Sequence, residues 1–243
     1  MSRLQEQHVS VPIPHGTLLG ILSVPEKARG LVIFVHGSGS SHQSPRNQKV
    51  AAMLQQKGLA YLLVDLLTAG ELSDERLQDA YRFKISFLTQ RLGHILSWVA
   101  AQDSLKRYGI GLFGASTGAA VAMDAAALMP GRIQAIVSRG GRVDLALSSG
   151  QRLQVPILLL VGSEDKELLL LNQRALASMK RAPAKKLEVI EGASHLFEEP
   201  GALEAVALSA AQWFLLHLGF LNHSKAQSSS SATDPEFCAD FPC

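Results

Sequence analysis

A serine in the middle of the chain is flanked by glycines in a pattern that suits a nucleophile. Gly114-Ala-Ser116-Thr-Gly118 has the form G-x-S-x-G, which places a serine on a sharp turn between a strand and a helix. The preceding letters GLFG predict a strand, and the following letters TGAAVAMDAAA predict a helix. A serine hydroxyl at that helix N-terminus could attack a carbonyl carbon, because the helix dipole favours the anion that develops there.

The same stretch also contains G-x-G-x-x-G, formed by Gly109, Gly111 and Gly114. In dinucleotide-binding proteins these glycines lie in the turn after a strand, and an acidic residue follows about 20 positions later. Here the apolar residues between the glycines are themselves the predicted strand, and the region ALMPGRIQA that follows contains no acidic residue. The sequence therefore favours the serine nucleophile, and we expect no cofactor.

A serine nucleophile needs a general base, and His195 is the histidine best placed for that role. It lies in a loop downstream of Ser116, directly after the predicted strand KLEVIEGAS. In the strand-turn-helix arrangement of G-x-S-x-G enzymes the chain order is serine, acid, histidine. His195 is therefore the predicted base.

The acid that orients this histidine is expected after the preceding strand, in the segment PILLLVGSEDKE. Asp165 is the predicted acid, because its short side chain suits contact with an imidazole from a turn at the strand end. Glu164 is the first alternative, Glu167 lies in the same segment, and Asp144 is a more distant alternative.

Two backbone amides are expected to bind the oxyanion of a tetrahedral intermediate. One is the amide of Thr117, the residue after the nucleophile. The other is expected in the loop HGSGS, with Ser38 as the donor, while Gly37 lets the backbone approach the substrate. His36 is interpreted as a residue that holds this loop by hydrogen bonds rather than as a second base.

An arginine near the same end of the predicted sheet could bind a substrate carboxylate. Arg139 and Gly140 follow a predicted strand, so they, together with Gly37, are predicted to contact the substrate. Arg142 lies on the other side of Gly140-Gly141. The alternative for these arginines is a structural ion pair with Asp65 or Asp144.

Continuous apolar strands alternate with helical segments along the chain, which predicts a mostly parallel, twisted sheet with helices on both faces. Binding sites in such sheets form at the carboxyl ends of the strands, where Ser116, Asp165 and His195 all lie. Residues 74–102 are expected to be helical. Only about 15 residues separate IVSRGG from VPILLL, too few for a large cap domain.

Composition limits the remaining possibilities. The 243 residues are 47% hydrophobic, which suits one domain, here 1–222, with the Ser-rich segment 223–243 as a disordered tail or an artificial extension. A net charge of +2 without a basic run indicates no nucleic acid partner.

No apolar run reaches the roughly 18 residues that cross a bilayer, and the polar N-terminus does not resemble a signal peptide. We expect a cytoplasmic protein without a membrane partner, as a monomer or small homo-oligomer.

The two cysteines, Cys238 and Cys243, both lie in the last six residues. The body of the chain therefore offers no thiol nucleophile and no cysteine-based zinc site. No metal site is expected.

The segments HGSGSSHQSPRNQKVA, GLFGASTGAA, SRGGR and GASHLFEEPGALE resemble segments of the α/β-hydrolase superfamily, within it the dienelactone-hydrolase-like group. The resemblance covers about residues 9–220 and implies the α/β-hydrolase fold. Some relatives carry this domain fused to a phosphoribosyltransferase domain. Dienelactone hydrolase proper uses a cysteine nucleophile, whereas Ser116 stands at that position here, a departure that favours a general carboxylesterase.

These features together predict a carboxylesterase that cleaves small or short-chain esters through Ser116, His195 and Asp165, with an acyl-enzyme and a small-molecule ester as its partner. A thioesterase, amidase, peptidase or lactone hydrolase would use the same residues. A non-catalytic binding protein on the same fold is the alternative from another class.

Overall fold

In the computed structural model, which describes residues 6–220, eight strands join in one sheet. The strands are β1 (Glu6–Ile13), β2 (Gly16–Ser23), β3 (Leu31–Val35), β4 (Ala60–Val64), β5 (Ile110–Ala115), β6 (Ala135–Arg139), β7 (Ile157–Gly162) and β8 (Lys185–Ile190). They lie side by side in the order β1-β2-β4-β3-β5-β6-β7-β8. β2 pairs antiparallel with β1 and β4, and the other pairs are parallel. The prediction of a mostly parallel sheet is therefore confirmed.

Helices cover both faces of this sheet. They are α1 (Pro45–Gln56), α2 (Ala69–Ser73), α3 (Glu75–Tyr81), α4 (Ile85–Ala101), α5 (Thr117–Leu128), α6 (Leu147–Arg152), α7 (Lys166–Ser178) and α8 (Ala202–His217), with a 3₁₀ turn at Val143–Ala146. α1 and α8 pack on one face, and α4, α5 and α7 pack on the other.

The central strands are mostly apolar because both of their faces are covered; Ser138 and Arg139 of β6 are exceptions. In β3, Leu31, Ile33 and Val35 contact the α4–α5 layer. Val32 and Phe34, which alternate with them, contact the α1–α8 layer. β3 therefore contributes to two apolar cores, and the sheet between them supports the loops at its carboxyl edge.

The segment 74–102, expected to be helical, contains two helices rather than one. Asp74 caps α3 by accepting hydrogen bonds from the amides of Arg76 and Leu77. A short turn then separates α3 from α4, and the carbonyl of Arg82 in that turn accepts a hydrogen bond from the side chain of Ser38. A carbonyl used outside the helix in this way favours an end to α3 at this point. The preceding helix, α2, has a capping box between Thr68 and Glu71.

The connection between β6 and β7 contains only the 3₁₀ turn and the six residues of α6. No large cap domain stands over the sheet in residues 6–220, as predicted. No helix in this part of the chain combines the length and apolar character needed to span a bilayer. The tail predicted at 223–243 lies outside the described residues.

Candidate active site

Ser116 occupies a strained turn between β5 and α5. Its backbone has φ 51° and ψ −122°, a conformation that a residue with a side chain adopts only at an energetic cost. Its amide donates to the carbonyl of Arg139 at 3.1 Å, and its carbonyl accepts from the amide of Arg142 at 3.0 Å. The loop after β6 therefore holds the turn in place from the side.

The two glycines of the motif are required by close backbone approach. A Cβ atom at Gly114 would lie 2.5 Å from the Cα of Ala119, and one at Gly118 would lie 2.1 Å from the carbonyl oxygen of Val35. Both distances are far below van der Waals contact, so α5 can follow β5 this tightly only with glycine at both positions. The sequence pattern G-x-S-x-G is thus explained by packing.

Asp165 and His195 meet across the loops that follow β7 and β8. Nδ1 of His195 lies 2.7 Å from Oδ2 of Asp165. The backbones of the two loops are also joined, since the amide of Glu164 donates to the carbonyl of Ala193 at 3.1 Å. Gly162 permits this approach, because a Cβ there would lie 2.0 Å from the same carbonyl oxygen.

The alternative acids lie in other contacts. Glu164 accepts a hydrogen bond from the hydroxyl of Ser163, and Asp144 forms a two-point ion pair with Arg142 at 2.9 and 2.8 Å. Of the carboxylates considered from the sequence, the structure brings Asp165 to the histidine.

Gly140 lies between the serine and the histidine. It follows Arg139, whose carbonyl accepts from Ser116, and a Cβ built on it would lie 3.2 Å from the carbonyl oxygen of His195 and 3.6 Å from Cε1 of its ring. Its φ of 53° is in the left-handed region, which glycine enters without strain. Within residues 6–220 the Ser116 hydroxyl has no hydrogen bond to His195 in this conformation; catalytic hydrogen bonds commonly shorten when substrate binds.

The loop after β3 packs directly against the serine. A Cβ at Gly37 would lie 3.0 Å from Cβ of Ser116 and 2.9 Å from the carbonyl oxygen of Ala115. The next residue, Ser38, donates its amide to Oγ1 of Thr117 at 3.0 Å. The two residues expected to bind an oxyanion are therefore adjacent, but one of their amides already has a partner within the protein.

His36 holds the same loop through both ring nitrogens. Nδ1 lies 2.9 Å from the carbonyl oxygen of Gly37, and Nε2 accepts from the amide of Leu66 at 3.0 Å. Burial lowers the pKa of this imidazole, against the opposing effects of the Gly37 carbonyl and the Asp65 carboxylate. A neutral ring with Nδ1 protonated fits both contacts, so the interpretation of His36 as a residue that holds the loop is confirmed.

A buried His42–Asp65 pair, which the sequence reasoning missed, also holds this loop. Nδ1 and the backbone amide of His42 each lie 2.7 Å from one oxygen of the Asp65 carboxylate. The signal available in the sequence is that His42 follows the apolar run LVIFV and Asp65 follows the apolar run LAYLLV, so their loops meet at the carboxyl edge of the sheet. The alternative pairing of Arg139 with Asp65 is therefore wrong, because His42 occupies this carboxylate.

Arg139 is buried without a carboxylate partner within the described residues. Its side chain is over the ring of Phe113, with 5.9 Å between the guanidinium carbon and the ring centroid. The residue is 8% exposed, and its Nη1 makes no hydrogen bond within residues 6–220. Burial, together with the nearby cation of Arg46, lowers the pKa of Arg139 to about 10, so the side chain is still a cation at neutral pH. The ion-pair alternative is confirmed for Arg142, which binds Asp144, and it is wrong for Arg139.

A cavity of about 50 Å³ lies behind the Gly37–Ser40 loop, on the side of α2–α4. Its apolar wall includes Leu66, Leu72 and Leu88, and Arg82 lies at the same cavity. No cluster of three or more metal-binding side chains occurs within residues 6–220.

Comparison with known proteins identifies the family. The model of the dienelactone hydrolase family matches residues 18–224. The structure of dienelactone hydrolase from Anabaena variabilis is 46% identical, covers 89% of this chain and 99% of its own, and superposes with a TM-score of 0.86. Est1E from Butyrivibrio proteoclasticus, 16% identical with a TM-score of 0.70 over 86% of this chain and 98% of its own, shares the fold.

A curated Mycobacterium tuberculosis protein named "Putative phosphoribosyl transferase" is 48% identical over 213 residues. That alignment covers 87% of this chain but 46% of the relative, so the chain spans about half the length of this relative. The matched family model covers well over half of the chain. The chain therefore belongs to the dienelactone hydrolase family and has the α/β-hydrolase fold.

Proposed function

We propose that this hydrolase cleaves carboxylic esters through Ser116, His195 and Asp165. The observation that carries the proposal is the Asp165–His195 hydrogen bond of 2.7 Å beside a serine in a strained turn. A carboxylate on Nδ1 of a histidine holds the ring in the tautomer whose Nε2 accepts a proton. A strained turn at a strand end exposes a serine hydroxyl to substrate.

In the proposed reaction Ser116 attacks the ester carbonyl carbon while His195 takes the hydroxyl proton. Asp165 stabilises the imidazolium that results, and the amides of Ser38 and Thr117 donate to the oxyanion. His195 then protonates the departing alcohol. Water, deprotonated by the same histidine, hydrolyses the acyl-enzyme and releases the acid.

Small or short-chain esters are the proposed substrates. The connection between β6 and β7 holds only a 3₁₀ turn and a six-residue helix, and the side chain of His195 is 42% exposed. An open site of this kind buries little of a long acyl chain. In an acyl-length series of p-nitrophenyl esters we expect the highest kcat/KM for short acyl groups; a preference for about twelve carbons would contradict the proposal.

Arg139 is proposed to bind an anionic group of the substrate. Gly140, the next residue, and Gly37, which packs against Ser116, are proposed to contact the substrate as well. A cation that is buried without a carboxylate partner is costly for the folded state. That cost is understandable if a substrate carboxylate completes the site with charge-assisted hydrogen bonds.

The proposed chemistry is tested by Ser116→Ala, with Ser178→Ala as the matched control. Ser178 lies in α7, where its hydroxyl donates to the carbonyl of Ala175. We expect Ser116→Ala to abolish hydrolysis of p-nitrophenyl acetate and labelling by a fluorophosphonate, and Ser178→Ala to change neither. Full activity of the Ser116 variant would refute the mechanism, and an unlabelled, inactive wild-type protein would favour the non-catalytic alternative.

The leaving group is tested by parallel assays with an ester, a thioester and an anilide of the same acid. The ester is expected to be cleaved fastest, and a higher kcat/KM on either other substrate would reassign the protein as a thioesterase or an amidase. We assign the phosphoribosyl transfer in the name of the mycobacterial relative to the part of that relative which this chain does not cover.

A further inference from the structure

Three hydrogen bonds join the Gly37–Ser40 loop, the nucleophile elbow (the turn at Ser116 and Thr117 between β5 and α5) and the turn between α3 and α4. The amide of Ser38 donates to Oγ1 of Thr117 at 3.0 Å, and the hydroxyl of Ser38 donates to the carbonyl of Arg82 at 2.9 Å. The two hydroxyls of Ser38 and Thr117 are also 3.0 Å apart. Since the hydroxyl proton of Ser38 is used on the Arg82 carbonyl, Thr117 donates in this last bond.

This network occupies the Ser38 amide, which the proposed reaction needs as a donor to the oxyanion. An oxyanion must lie 2.7–3.1 Å from its donors, which is the distance at which Oγ1 of Thr117 now lies from the Ser38 amide. The Thr117 amide, the first of α5, has no partner within its helix. In this conformation the oxyanion hole therefore has one free amide rather than two.

We propose, on the basis of the proposed function, that the Thr117 hydroxyl closes the oxyanion hole until substrate displaces it. The carbonyl oxygen of the substrate takes the place of Oγ1 on the Ser38 amide, and the bond between the two side chains breaks with it. Thr117 is then a positioning residue through its hydroxyl, in addition to its backbone role.

The Gly37–Ser40 loop has room to respond. Gly39 has φ 69° and no atom within 4 Å of its Cβ position, and the amide of Ser40 closes a turn on the carbonyl of Gly37 at 3.2 Å. The cavity of about 50 Å³ lies directly behind the loop. A small shift of the loop toward this cavity would separate the Ser38 amide from Oγ1 of Thr117.

On opening, the Ser38 amide exchanges Oγ1 of Thr117 for the substrate oxygen, so the net cost is the one neutral hydrogen bond between the two side chains. Such a bond contributes about 1 kcal/mol net, which corresponds to roughly a fivefold change in a rate or binding constant. Thr117→Val removes the acceptor and keeps the side-chain shape. We expect kcat/KM for p-nitrophenyl acetate to rise about three- to tenfold, and the inhibition constant of phenylboronic acid, which forms a tetrahedral anion on serine, to fall by the same factor.

Thr117→Ser, which restores the hydroxyl, is expected to return both values toward those of the wild type. Thr89→Val is the matched control, since Thr89 is a buried threonine of α4 whose hydroxyl has no partner within residues 6–220. It should leave kcat/KM and the boronate constant unchanged. A stability effect alone would move the melting temperature without moving the boronate constant.

A fall or no change in kcat/KM for Thr117→Val, with a folded protein by circular dichroism, would overturn the inference. If the valine variant does not fold, Thr117→Ala removes the same acceptor and decides the question in the same way. Ser116→Ala separates the two proposals: an active Ser116 variant refutes the ester mechanism itself. An inactive Ser116 variant combined with an unimproved Thr117 variant refutes only the closed hole.

Discussion

Asp165 and His195 are joined twice, once through their side chains and once through the backbone beside them. The carboxylate oxygen and Nδ1 are 2.7 Å apart, and the amide of Glu164 donates to the carbonyl of Ala193 at 3.1 Å. The backbone contact fixes the distance between the two loops. The side-chain bond therefore needs little additional ordering, and it engages Nδ1 of the ring rather than Nε2.

Replacing Asp165 and, separately, Glu164 should show whether a carboxylate acts here by orienting His195 or only by its negative charge. We expect Asp165→Asn to lower kcat on p-nitrophenyl acetate by between about 10² and 10⁴, because an amide favours the wrong histidine tautomer. Glu164→Gln removes a neighbouring charge that contacts Ser163 instead, and it should change kcat less than about twofold. Equal losses in steady-state assays of the two variants would contradict the assignment of Asp165.

Arg139 should show a trade-off between stability and recognition. Its lowered pKa of about 10 means that the folded state disfavours the charged form. Arg139→Met should therefore raise the free energy of unfolding, by on the order of 1 kcal/mol or more. The same change should lower kcat/KM for a carboxylate-bearing ester about tenfold relative to a neutral ester, through the loss of a charge-assisted hydrogen bond.

Arg132→Met is the control for the arginine experiment, since Arg132 is exposed and precedes β6 at the opposite edge of the sheet. Urea unfolding and paired ester assays measure both effects. The substrate role fails if Arg139→Met leaves the ratio between anionic and neutral esters unchanged, whatever the stability does. A loss of stability without a change in that ratio would mean that the guanidinium is structural.

His36 should make the stability depend on pH. In the unfolded chain a histidine binds a proton below about pH 6.5, whereas burial lowers the pKa of His36 in the folded protein. The unfolded state then binds more protons, so stability falls as pH decreases from 7 to 5, by at most about 1.4 kcal/mol per pH unit for this group. His36→Asn, which cannot titrate, should flatten that slope in urea unfolding; equal slopes would show that His36 does not contribute.

The glycines of the elbow should be intolerant of a single methyl group. A Cβ at Gly118 would meet the carbonyl oxygens of Val35 and His36 at 2.1 and 2.7 Å. We expect Gly118→Ala to cost at least about 2–4 kcal/mol of unfolding free energy. Gly70→Ala, at a position of α2 with no atom within 4 Å, should be neutral or slightly stabilising by about 0.5 kcal/mol. Comparable unfolding midpoints for the two variants would refute the packing argument.

The parts of this site that could be predicted from sequence are those set by position relative to a strand. Ser116 and Asp165 each follow a fully buried strand, and His195 follows the edge strand β8. Parallel strands bring their carboxyl ends to one edge. The G-x-G-x-x-G pattern does not form a dinucleotide-binding turn, because Gly111 lies within β5. The strand order then places β7 beside β8, so Asp165 and His195 meet although 30 positions separate them.

The parts that could not be predicted depend on side-chain partners. The sequence offers Arg139 two carboxylates, but the structure commits Asp65 to His42 and Asp144 to Arg142. Such choices are made by loop geometry over distances of a few ångströms, which residue type and spacing do not encode. The Thr117 hydroxyl on the Ser38 amide is a similar case, because nothing in G-x-S-x-G shows the rotamer of its fourth residue.

The position of each strand in the sheet affects how easily the loop that follows it unfolds. β5, which carries Ser116, lies between β3 and β6 in the interior of the sheet, whereas β8, which leads to His195, is an edge strand paired only with β7. Edge strands open at a smaller free energy than interior ones. Gentle warming should therefore detach His195 while the turn that carries Ser116 is still folded, so that under the proposed mechanism activity is lost before the protein melts. Amide hydrogen exchange would then run fastest in β8 and slowest in β5.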